Sequence, residues 1–147
     1  MADMVGALLE PRAIRLAEHA IDRDDAIRQC GGVLVEIGAV DPTYVEGMLL
    51  REQSISTYVG EGVAIPHSTL EGKAAVRRDA LAVLRFPDGV DWGGFPVTVC
   101  VAIAAVGDGH VDILAELAQI LLDPEQAQRL RDATDPAEVM RLLEAQS

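Results

Sequence analysis

His67 follows the run Val63-Ala64-Ile65-Pro66 and precedes two hydroxyl side chains, Ser68 and Thr69. A neutral imidazole is a nucleophile near neutral pH, and its second ring nitrogen can be pinned by an acceptor that fixes the tautomer. The apolar triplet reads as a brief buried strand, too short for a helix. Pro66 cannot donate to a sheet ladder and biases Ile65 toward extended geometry, so the strand ends there and leaves His67 at its mouth. Gly60 and Gly62, just upstream, permit positive φ or a close backbone approach. The local pattern supports two readings of His67: a turn histidine with one hydrogen bond and no chemistry, or an imidazole presented to a partner protein.

Two further residues suit an anion. Arg51 falls near the end of an apolar-striped helix, either as a solvated arginine favoured by the helix dipole or as a planar guanidinium fork. His110 falls at the start of another helix, where free backbone N–H groups favour negative charge, or it is simply a water-exposed helix-start histidine. His19 reads as a surface residue in a polar loop. The three histidines share no compact ligand spacing, and Cys30 and Cys100 read as buried free thiols, so no metal or cofactor is expected. No Gly-x-Ser-x-Gly occurs, so a nucleophile-elbow hydrolase has no support.

The elements that must position these residues can be read in order. Ala13 to Ala17 alternates as a first strand. Asp22 reads as an N-cap, and Ala26, Ile27, Cys30, Val33, Leu34 and Ile37 recur at helical spacing, so a helix is expected over about 23–37. Gly31-Gly32 inside it costs roughly 1 kcal/mol per glycine relative to alanine and reads as a close helix–sheet contact, with a break in the helix as the alternative. Gly38 is a plausible stop. Asp41-Pro42, Asp123-Pro124 and Asp135-Pro136 each read as a capping carboxylate followed by a first-turn proline, and Asp108 likewise reads as a cap. Val45, Met48 and Leu49 form the apolar stripe of the helix that carries Arg51. Residues 69–78 read as a short helix or turn with a basic cluster at Lys73, Arg77 and Arg78. A strand is expected over 79–86, a turn at Pro87-Asp88-Gly89, and a central strand covered on both faces over 97–105. Val111, Leu114, Leu117, Ala118 and Leu121 mark an amphipathic helix. The expected fold is α/β (α+β): a single mixed sheet of about five strands flanked by helices on both faces, forming one domain over 1–147.

Composition narrows the function class. The 147 residues suit one domain with a sizeable core. Half the residues are hydrophobic but only 3% are aromatic, so the core must be aliphatic. The formal charge of −12 argues against a nucleic-acid binder and against docking on anionic lipid. It suits steering toward a basic protein partner. There is no signal-peptide pattern and no apolar run long enough to span a bilayer, so direct membrane insertion is not expected and the cytoplasm is the expected location.

The stretch Gly60-Glu61-Gly62-Val63-Ala64-Ile65-Pro66-His67 resembles the active-site strand of the EIIA domains of the bacterial phosphoenolpyruvate-dependent sugar phosphotransferase system. Gly47-Met48-Leu49-Leu50-Arg51-Glu52 and Ser56-Thr57-Tyr58 resemble the mannitol branch. The resemblance implies a phosphocarrier that accepts a phosphoryl group from the carrier HPr on His67 and passes it to the EIIB component of a mannitol (hexitol) transporter. It implies Arg51 as charge stabiliser, His110 as the second histidine of the site, and Ser68 and Thr69 as phosphoryl-binding donors. Val59, Ile65, Leu70 and Glu61 are then expected at the partner-facing rim. Ser68 departs from the family, which usually has glycine directly after the active histidine, and Gly109 stands where many relatives carry an acidic residue. A regulatory module of the nitrogen type, whose phosphorylation state controls partner binding, is the alternative; the Thr57-Tyr58 pair speaks against it.

Overall fold

The computed structural model describes residues 7–69, 74–106 and 109–144. Among the described residues, five strands form one mixed sheet in the order β1-β4-β5-β3-β2. β1 (Leu9–Arg15) pairs parallel with β4 (Ala80–Asp91), and β4 runs antiparallel to β5 (Pro96–Ala104). β3 (Val63–Ala64) pairs parallel with β5 and antiparallel with β2 (Tyr58–Gly60). Ala80 to Leu84 and Val99 to Ala104 are buried without a break, although alternate residues point to opposite faces. Both faces of the central pair are therefore covered, as the uninterrupted apolar runs predict.

β1 starts earlier than its alternation suggested. Leu9 is buried opposite Leu81, while the exposed Pro11 and Arg12 disguise the strand as a loop. Proline is tolerated because β1 is an edge strand, with a register shift between Leu9 and Ile14. β4 also continues through Pro87-Asp88-Gly89, which is an irregularity between Arg85 and Val90 and not a chain reversal. The reversal comes at Gly93-Gly94, both with positive φ (67° and 100°), closed by Trp92 N–H donating to the Phe95 carbonyl at 2.8 Å.

Helix α1 (Arg23–Glu36) is capped by Asp22, whose carboxylate accepts from Asp25 N–H at 2.8 Å. It ends as a Schellman turn: Gly38 N–H donates to the Val35 carbonyl and Ala39 N–H to the Leu34 carbonyl, with Gly38 at φ 79°. Gly31-Gly32 does not break it. Gly31 faces a second helix, α2 (Tyr44–Ser54), and not the sheet: a Cβ there would stand 2.7 Å from Val45 Cγ2 and 3.1 Å from Met48 Sδ. At α2 the capping logic of Asp41-Pro42 fails. The N-cap is Thr43, with no side-chain cap bond, and the Asp41 carboxylate instead pairs with Arg77. The Asp41 carbonyl receives Tyr44 N–H at 2.9 Å.

Helices α3 (Gly109–Leu121), α4 (Pro124–Asp132) and α5 (Pro136–Glu144) follow. Here the aspartate–proline starts behave as expected: Asp123 accepts from Glu125 N–H and Asp135 from Ala137 N–H, each at 3.0 Å. Helix α1 packs on β4 and β5, α4 touches β5, and α5 packs on β1. Cys30 and Cys100 are both buried free thiols. Burial, the Cys30 hydrogen bond and the nearby Glu52 charge together push the Cys100 thiol well above its usual range. Asp108 and Lys73 lie outside the described residues.

Candidate functional site

His67 lies just past β3, after Pro66, as the strand-ending proline requires. It retains 9% of its surface exposed, deeper than a residue merely left at a strand mouth. Its Nδ1 lies 2.8 Å from the Ile65 carbonyl oxygen. A carbonyl only accepts, so Nδ1 carries the proton and, in the neutral ring, Nε2 carries the lone pair.

The segment around the ring is fixed by backbone bonds on both sides. Ile65 N–H donates to the Thr57 carbonyl at 3.0 Å, and Ile103 N–H of β5 donates to the Pro66 carbonyl at 3.0 Å. Ser68 N–H donates to the Tyr44 hydroxyl at 3.3 Å, and that hydroxyl donates to the Ile103 carbonyl at 2.7 Å. Tyr44 thus ties α2, β5 and the residue after the histidine together. Burial pushes its phenol up to about 12, partly offset by the Ser68 N–H bond.

Helix α2 lies directly against the Ser68-Thr69 step. A Cβ on Gly47 would stand 2.0 Å from Ser68 Oγ and 3.8 Å from Thr69 Oγ1. Ser68 is buried, and its Oγ has no hydrogen-bond partner. Its backbone needs no glycine, since Glu61, at φ 56°, is the one non-glycine residue with positive φ among the described residues. Arg51 is one turn beyond Gly47 on the same helix. Its Nη1 donates to the Ile55 carbonyl at the helix C-terminus, which is the dipole-favoured placement.

The neighbour of Arg51 is the residue that sequence reasoning passed over. Glu52 is 4% exposed, and its carboxylate accepts from Thr57 N–H, the Thr57 hydroxyl and Trp92 Nε1–H at 2.9, 2.5 and 2.9 Å. The available signal was spacing: Tyr44, Met48 and Glu52 recur every four residues and share the buried face.

The β2–β3 turn passes through Gly60, Glu61 and Gly62, all with positive φ, and is held by Arg131 of α4, whose Nη1 donates to the Glu61 carbonyl. Tyr58 stacks on Phe95 with ring centroids 4.8 Å apart. Of the expected rim, Glu61 is exposed and Val59 and Ile65 are half-buried; Leu70 lies outside the described residues. His110 occupies the first turn of α3, as its position in the sequence suggested; its side chain lies outside the described residues. His19 is a surface residue 3.6 Å from Asp88. Of the expected basic cluster, Arg77 pairs with Asp41, and Arg78 donates to the Ile37 carbonyl at 2.7 Å. Among the described residues no group of three or more His, Cys, Asp or Glu side chains could hold a metal ion, and no helix is long and apolar enough to cross a membrane.

The chain that carries this buried strand and tautomer-fixed histidine matches a known family along nearly its whole length. The model for the phosphoenolpyruvate-dependent sugar phosphotransferase system, EIIA 2, matches residues 7–146, and the chain belongs to this family. The mannitol-specific phosphotransferase enzyme IIA component of Halalkalibacterium halodurans is 39% identical over 140 residues, covering 95% of this chain and 97% of that protein. The multiphosphoryl transfer protein of Escherichia coli O157:H7 is 41% identical over 136 residues; the match takes in 92% of this chain but spans only 36% of that longer protein. The complex of enzyme IIA Mtl and phosphorylated enzyme IIB Mtl from Escherichia coli superposes with a TM-score of 0.86 at 32% identity, covering 94% of this chain and 99% of that one.

Proposed function

We propose that this chain is a phosphocarrier of the sugar phosphotransferase system: one domain over residues 1–147, working in the cytoplasm, that takes a phosphoryl group from phospho-HPr onto His67 and gives it to the EIIB component of a mannitol or related hexitol transporter. The observation that carries the reading is the Nδ1–H bond to the Ile65 carbonyl, which leaves Nε2 as the nucleophile. The pairing of enzyme IIA with phosphorylated enzyme IIB in the structural relative supports EIIB as acceptor. The acidic charge of −12 supports a basic docking partner.

In the forward step, Nε2 attacks phosphorus as the donor nitrogen–phosphorus bond breaks, and the donor ring keeps the electron pair. Nδ1–H stays on the Ile65 carbonyl, so positive charge on the phosphorylated ring is stabilised without moving a proton. The group passes between heteroatoms and needs mainly position and charge matching from the protein. Ser68 supplies a hydroxyl with no partner of its own, Thr69 a second hydroxyl, and Arg51 and His110 the expected charge and hydrogen-bond stabilisers. Incubation with phosphoenolpyruvate, enzyme I and HPr labels the protein, and His67→Ala does not label. Label surviving that substitution contradicts the assignment. Transfer onward to a mannitol EIIB separates the carrier role from a purely regulatory one.

A further inference from the structure

A carboxylate enclosed in a core is costly unless its bonds are satisfied, and a well-packed apolar residue often serves stability as well or better. Glu52 is such a group, and its three donors converge from two directions: Thr57 through both N–H and hydroxyl, and Trp92 through its indole. Thr57 is itself 4% exposed and Trp92 1%. The Thr57 carbonyl receives Ile65 N–H at 3.0 Å, and the Ile65 carbonyl receives His67 Nδ1–H at 2.8 Å. An uninterrupted series of contacts therefore runs from the carboxylate to the imidazole. The N–H and C=O of Thr57 belong to different peptide groups, and so do those of Ile65. The connection is consequently one of geometry: Glu52 fixes Thr57, Thr57 fixes Ile65, and Ile65 aims the ring.

We propose that Glu52 is a positioning residue for His67, holding through Thr57 the Ile65 carbonyl that sets the tautomer and direction of the ring. The claim rests on the phosphocarrier reading for its kinetic consequence but not for its spectroscopic one. The Glu52 carboxylate bonds to Thr57 and Trp92, neither of which is placed in the chemistry; it acts on where Nε2 points.

Three variants test this. Glu52→Met keeps volume and helix propensity but removes all acceptors. Glu52→Gln can restore the pattern, with its amide oxygen facing the two N–H donors and its NH2 facing the Thr57 hydroxyl. Ring nitrogen chemical shifts of His67 and phosphorylation by phospho-HPr are read on each, after circular dichroism has checked the fold. The wild type shows a single Nδ1–H tautomer. Glu52→Met shows mixed tautomers and a rate at saturating phospho-HPr reduced about tenfold or more, with KM changed less than about threefold, as misplacement of a reacting atom implies. Glu52→Gln stays near wild type in both. A folded Glu52→Met with the wild-type tautomer and rate overturns the proposal. If Glu52→Met does not fold, Glu52→Asp decides: its reach is one methylene shorter, and unchanged tautomer and rate in that variant overturn it equally. Absence of label on every form, wild type included, rejects the phosphocarrier reading instead, and the tautomer measurement still stands.

Discussion

Tyr44 and Ser68 are joined by a hydrogen bond from the Ser68 N–H to the phenol oxygen, although 24 positions separate them in the chain. The same hydroxyl donates to the Ile103 carbonyl, so one oxygen ties the first helix turn of α2 to the central strand β5 and to the residue after the histidine. The helix that carries Arg51 is thereby fixed relative to His67.

Tyr44→Phe removes that oxygen and little else. The Ile103 carbonyl and Ser68 N–H lose a buried partner, which costs about 1–3 kcal/mol. Chemical denaturation measures the loss, and phosphoryl acceptance slows several-fold. The pH dependence has a definite sign. The folded phenol titrates near 12, above its ordinary value of 10.0. The folded state therefore holds the proton more tightly than the unfolded chain, and stability falls as pH rises through the interval between those values. Tyr44→Phe flattens that alkaline slope; an unchanged slope in the variant assigns it to another group.

Gly47→Ala reads as harmless from propensity alone, since alanine is the better helix former. Ser68 Oγ, 2.0 Å from where the new methyl would stand, reverses the expectation. The variant loses roughly 1–3 kcal/mol through overpacking. Ser68→Gly in the same chain clears the space and restores most of the loss. A double-mutant cycle measures the coupling; additive effects would show that the two positions do not press on one another.

Ser68→Ala separates stability from function. Its Oγ has no partner in the buried site, so its removal leaves stability unchanged or raises it by about 1 kcal/mol. If the hydroxyl serves the phosphoryl group, the same variant holds phosphate less well, with a several-fold shift of the transfer equilibrium toward HPr. Thermal melts and equilibrium labelling, run on one preparation, check both halves.

The sequence made much of this legible because local chemistry decided it. Pro66 ends β3, Asp22 and Gly38 bound α1, and the aspartate–proline pairs open α4 and α5. Where distant contacts decided, the sequence misled. Asp41 looks like its fellow caps, but Arg77, folded back from 36 positions away, takes its carboxylate. Pro87-Asp88-Gly89 has turn chemistry, yet β5 holds β4 in register on both sides of it, and it becomes a bulge. Gly31 looked toward a sheet and met α2. Glu52 was hidden by the sound presumption that glutamate belongs in water, and only its fourfold spacing with Tyr44 and Met48 argued otherwise.

The nitrogen that carries phosphorus tests the account most directly. Nuclear magnetic resonance of the phosphorylated protein, with nitrogen-labelled histidine, distinguishes the two ring positions through their coupling to phosphorus. The bond from Nδ1 to the Ile65 carbonyl requires phosphate on Nε2 of His67, with Nδ1–H retained. Phosphate on Nδ1, or on any residue other than His67, contradicts it.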